Sequence, residues 1–137
     1  MQLLAQPPQD ATRAVDVQEA PSAHKAVLTG KRVIPAHFLQ QLQGKPFVKF
    51  VGLLQMAHDE GLQSLTAVWT HNDADLSLAH AVAIFADGRR FEESGDSTPQ
   101  NAKNIGLAWR RMALTRAKAR ALRDALSIDM CSVEEME

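Results

Sequence analysis

Arginines recur along one stretch of this chain at spacings that would gather them on a helix surface. Between Arg89 and Arg123 there are nine bases (Arg89, Arg90, Lys103, Arg110, Arg111, Arg116, Lys118, Arg120 and Arg123) against three acids, Glu92, Glu93 and Asp96. From Asp124 onward there are five acids and no base. The formal net charge of −1 over 137 residues thus hides a basic segment beside an acidic end, and local sign governs attraction for a polyanion. Arginine outnumbers lysine from Lys103 onward. Its fork matches phosphate oxygens and its plane stacks on bases.

At ~100° per residue, with Arg110 as zero, Arg116, Arg120 and Arg123 fall near ~240°, ~280° and ~220° and form one basic edge. Arg110, Arg111, Lys118 and Lys103 fall between ~0° and ~100° and form another. Ala108, Met112, Thr115, Ala119, Leu122 and Leu126 lie between and are the predicted core face. Acids that could pair at i±4 are absent until Asp124. Such a helix carries destabilising like charges unless an external anion neutralises them.

Other chemistry is sparse. The histidines His24, His37, His58, His71 and His80 lack close metal-ligand spacing. Asp73 and Asp75 fall in an expected turn, where carboxylates cap backbone donors. The turn at Gly95 has no phosphate-loop pattern. A single cysteine, Cys131, excludes an internal disulfide framework and a multi-thiolate metal site. Trp69, Trp109 and Phe91 read as core aromatics; an exposed one would offer a base a stacking platform. With no nucleophile, base or metal set in view, the expectation is a protein that is not an enzyme and needs no cofactor.

The elements that must position the arginines follow from periodicity and punctuation. Residues 1–34, mixed in Gln, Pro and Ala, read as a flexible arm. A short helix is expected over 35–43. A stronger one should run from Pro46 to Glu60, with Gly61 as its stop. Strands follow at 62–71, 76–86 and 89–94, joined by a turn at 72–75 and a two-residue hairpin at Asp87-Gly88. Pro99 opens the long basic helix, which ends near Ser127. The expected fold class is α+β: a helix, a three-stranded antiparallel sheet and a long C-terminal basic helix. A core over 35–128 lies between the arm and an acidic tail at 129–137. No secretory signal or ~20-residue apolar run is visible, so a cytoplasmic protein is expected. A folding unit this small commonly gains stability by self-association, so a homo-oligomer is expected too.

The block from Gly44 to Ile128 resembles the Rad-fifty-two-like single-strand annealing proteins, including phage and bacterial DNA-damage-response relatives. The resemblance rests on Phe47-Val48-Lys49-Phe50-Val51-Gly52-Leu53-Leu54, the Asp87-Gly88 hairpin, the Gly95-Asp96 turn and Thr115-Arg116-Ala117-Lys118-Ala119-Arg120-Ala121-Leu122-Arg123. It implies a ring-forming oligomer that holds single-stranded DNA in a basic groove and anneals strands in recombination or repair without catalysis. Arg120 and Arg123 stand in the family's Arg-Ala-Leu-Arg run and inherit its backbone-contact role. Arg116 joins them by helical geometry, and Arg89 and Arg90 are expected second contributors. Set beside longer members of that family, the chain is expected to lack their C-terminal partner-binding region.

Two other readings fit the same order of elements. A double-stranded-RNA-binding module also ends in a basic helix, but carries a lysine cluster at that helix's start, where this chain has Lys103 alone. A protein-interaction subunit could use the same helix against an acidic surface.

Overall fold

The computed structural model describes residues 26–29 and 32–136. Most of the arm expected over 1–34, with His24, lies outside them. The described chain is α+β, with a three-stranded antiparallel sheet and a long C-terminal helix.

Two short hairpins come first. β1 (Val27–Thr29) pairs with β2 (Arg32–Ile34), and β3 (Leu39–Leu42) with β4 (Lys45–Val48), both antiparallel. The second corrects most of the helix expected over 35–43, of which only the 3-10 turn Ala36–Phe38 is present. Gln43 and Gly44 both adopt positive φ, 53° and 78°, which turns the chain back in the tight form that suits twisted strands. That hairpin also captures residues 45–48 as a strand, so α1 runs Phe50–Asp59 rather than from Pro46. Gly61, at φ 94°, ends it as expected.

The main sheet has the order β5 (Leu62–Asn72), β6 (Ser77–Phe85), β7 (Arg90–Ser97). The Asp87-Gly88 turn is present, but only Gly88 has positive φ. Phe85 N–H donates to the Arg89 carbonyl, so the loop is one residue longer than the expected two-residue turn. Alternation along β6 buries Ser77, Ala79, Ala81, Ala83 and Phe85 and turns Leu78, His80, Val82 and Ile84 to the other face.

α2 (Trp109–Leu126) lies across the buried face of this sheet, against β6 and β7, and α1 packs on α2. A Cβ on Gly95 would sit 2.4 Å from both the Ala113 carbonyl oxygen and the Ala117 nitrogen. Helix and strand therefore approach as closely as backbones allow, and small residues line the contact.

That closeness corrects the predicted helix face. Trp109, Ala113 and Ala117 are buried while Ala108, Met112 and Thr115 are only half-buried. Toward the C-terminus Ala119, Ala121, Leu122, Ala125 and Leu126 are all buried, an arc from ~20° to ~180° that is wider than the predicted face. Alanine adds little to a hydropathy pattern, yet it is the residue that permits close helix–sheet packing.

The core also extends past both expected limits. Ile34 and Ser132 are fully buried. Arg32 Nε donates to the Leu126 carbonyl at 2.9 Å, and Val48 N–H donates to the Cys131 carbonyl at 3.3 Å. The segment expected to be an acidic tail is thus packed against the fold up to Met136, the last residue described. No helix among the described residues is long and apolar enough to cross a membrane.

Candidate nucleic-acid interface

Eight of the nine predicted cations divide into three groups, and Lys118 stands apart. The first contains Arg116, Arg120 and Arg123, on the side of α2 facing the C-terminal segment. Arg116 is 3% exposed. Its Nε donates to the Glu134 carbonyl at 2.9 Å, its Nη1 to the Asp96 carbonyl and Asn101 Oδ1 at 2.9 Å each, and its Nη2 to the Asn101 carbonyl at 3.0 Å. The expectation that Arg116 contacts phosphate is corrected: buried and committed to these oxygens, it ties α2 to the β7 exit and the C-terminal segment.

Arg120 and Arg123 converge on Glu135, whose side chain is 3% exposed. Arg123 donates from Nε and Nη2 at 2.8 and 2.7 Å, and Arg120 from Nε at 3.3 Å. Arg120 also donates to the Ser94 carbonyl at 3.0 Å and lies 3.5 Å from Asp96 Oδ1. Burial alone would push the Glu135 carboxyl up, but the bonds from Arg123 and Ser132 outweigh it and hold the carboxyl below the usual range. Both arginines keep part of their surface in solvent, with their charge largely answered inside the chain.

Glu134 reaches the other way. Its Oε1 accepts from Phe50 N–H at 2.9 Å, capping an α1 N-terminus that has no side-chain cap of its own. The sequence reading placed Glu134 and Glu135 in an acidic tail outside the core. The signal present was five acids following nine bases with no local partners.

The second group is Arg89 and Arg90 beyond the β6–β7 turn. Arg89 Nε donates to Asp87 at 2.8 Å, and its guanidinium lies 4.9 Å from the Phe85 ring centre. Arg90 Nε donates to Glu92 at 2.6 Å, and Glu92 also holds His80 at 2.7 Å. Both arginines remain exposed, each with a carboxylate beside it.

The third group gathers at the start of α2. Lys103, Arg110 and Arg111 are exposed, and none has a carboxylate ion-pair partner among the described residues. Here the geometry is built from two ends of the fold. Trp69, near the end of β5, donates from Nε1 to the Arg110 carbonyl at 3.1 Å. Arg110 Nε donates to the Asp73 carbonyl at 3.2 Å, and its guanidinium stacks 5.0 Å over the Trp109 ring. Trp109 is core, as expected, whereas Trp69 is 42% exposed. The Asp73 carboxylate is occupied by Asp75 N–H, His71 and Leu76 N–H, which hold it below the ordinary range. Lys118, farther along α2, lies 5.9 Å from the Phe50 ring centre.

Among the described residues no three His, Cys, Asp or Glu side chains converge as a metal site. What the α2 entrance can do chemically is attract an anion. Exposed Lys103, Arg110 and Arg111 precede or open the helix at its positive end, and Trp69, bonded to the Arg110 carbonyl, is part-exposed.

No family model matches this chain, and comparison with curated proteins returns no match.

Proposed function

We propose that this chain binds single-stranded DNA without catalysis and, as a homo-oligomer, promotes annealing of complementary strands in recombination or repair, in the cytoplasm of a bacterium or the host of a phage. The observation that carries this reading is the part-exposed Trp69 bonded to the Arg110 carbonyl at an α2 entrance where Lys103, Arg110 and Arg111 are all exposed. Cations neutralise phosphates and release counterions, while an aromatic face accepts any base, so the combination suits a strand held without sequence preference.

The reading differs from the sequence expectation in where the strand lies. Phosphate contact shifts from the internally answered Arg116, Arg120 and Arg123 to the start of α2. Arg120 and Arg123, partly exposed, together with Lys118, Arg89 and Arg90, are secondary contributors along its path.

The test is binding of a labelled oligothymidylate at about 50 and about 200 mM salt, with light scattering for assembly size. Three phosphate contacts predict a slope near −2 in log K against log salt, from about −0.7 per contact on a single strand. Replacing Lys103, Arg110 and Arg111 together by Ala should remove most of that slope. Salt-independent binding, a preference for duplex RNA, or no binding would overturn the reading.

A further inference from the structure

Leu107 is 100% exposed and Ile105 38% exposed. A lone exposed leucine is ordinary on a protein surface, but the mounting of this one is not. Residues Lys103–Ala108 form a tight 3-10 segment interrupted at Gly106, whose φ of 57° and ψ of −125° only glycine adopts readily. The interruption turns Leu107 into solvent. Beneath the tip, Ala102 is fully buried and accepts at its carbonyl from Ile105 N–H at 3.2 Å, and Trp109 is core. Arg110 then bolts this base to the β5–β6 end through Trp69 and Asp73. A braced base thus carries an apolar tip, flanked along the chain by exposed Lys103, Arg110 and Arg111.

Resting on the single-strand reading above, we propose that the Ile105-Gly106-Leu107 tip is a wedge: Leu107 inserts between two neighbouring bases of a bound strand while the flanking cations hold the phosphates on either side. Aliphatic side chains perform this role in proteins that unstack base steps, and a single strand has no pairing to lose, so opening a step is cheap. The cations select an anionic partner over an apolar protein surface. Two aliphatic side chains also fall short of an interfacial membrane anchor, which takes a whole apolar helix face or paired lipid signals. Unstacked bases spaced along an oligomer would be presented to a complementary strand, which is what annealing needs.

The experiment uses the full-length protein and an oligonucleotide carrying 2-aminopurine, whose fluorescence rises when it leaves the stack. Wild type should raise the fluorescence on binding. Leu107→Ala should lose that rise and bind about tenfold more weakly, within the range for losing one base contact, with the salt slope unchanged; Leu107→Met should restore both. Binding without a fluorescence rise, or a rise that survives in Leu107→Ala, overturns the wedge and leaves the single-strand reading standing. Failure of wild type to bind the oligonucleotide overturns that reading and the wedge with it. If Leu107→Ala dissociates the oligomer in light scattering, or lowers binding to anionic vesicles but not to DNA, the tip serves a subunit or membrane contact and the wedge is wrong.

Discussion

The guanidinium of Arg123 donates to both carboxylate oxygens of Glu135, at 2.8 and 2.7 Å, across twelve residues of sequence. The fork joins the end of α2 to a segment that also caps α1 through Glu134 and receives Arg116 on its backbone. Bidentate geometry and burial make this pair far stronger than a surface ion pair.

Glu135→Gln should cost about 2 to 3 kcal/mol in urea unfolding, below the roughly 3 to 5 expected for a fully buried pair because Arg123 keeps some solvent. The pH dependence carries a definite sign. The folded Glu135 carboxyl lies below its unfolded value, so its stabilisation is present above the unfolded value and fades as pH falls through the folded one. Acid unfolding should be less steep in the Gln variant.

Arg116→Ala should destabilise by about 3 to 5 kcal/mol, since it empties a buried site and leaves part-buried oxygens on Asp96, Asn101 and Glu134 without their donor. That is a large share of a total near 5 to 15 kcal/mol. Thermal melting reads the loss. The variant that remains folded at low temperature should bind oligonucleotide with unchanged salt slope, which separates a structural arginine from a phosphate ligand.

Gly95→Ala should cost about 3 kcal/mol, because its Cβ meets the α2 backbone at Ala113 and Ala117 and α2 must move away from the sheet. Gly88→Ala is the matched control. Its Cβ meets nothing within 4 Å, and only its φ of 92° is strained, so about 1 kcal/mol is expected. Denaturant midpoints of the two variants should differ accordingly.

Asp124 responds to pH in the opposite direction from Glu135. Burial, then a hydrogen bond shared with Glu93 on β7, push its carboxyl up to about 6. The folded state takes this proton before the unfolded chain does, so the associated stability is fullest below about 4 and is lost as pH rises to about 6. Above that, Asp124 and Glu93 repel, partly relieved by Arg123. Asp124→Asn should therefore stabilise at pH about 7 by at most about 1 kcal/mol, a figure reduced for solvent screening, and should flatten the stability profile between those limits.

Elements with strong local signals were legible without coordinates. Gly61 stops α1, Asp87-Gly88 turns β6 into β7, and alternation along β6 marks a sheet. The Gln43-Gly44 hairpin was not legible, because Pro35 to Val48 has apolar residues that suit either period. In the candidate interface, the residue types could be named but not their allegiance. Arg116 and Arg111 look alike in sequence, yet one is buried among carbonyls and the other is exposed.

The sequence by itself determined an α+β chain with a charged last helix, since helical and strand periods, turn residues and the order of charges are all local properties. Tertiary structure alone decided which cations remain available. An arginine is neutralised by whatever lies within a few ångströms, and for Arg120 and Arg123 that is Glu135, brought back by the turn at Ser127 and Ile128. Leu107 and Trp69 owe their exposure to the same cause. Burial depends on which surfaces the fold brings together, and no spacing along the chain encodes it.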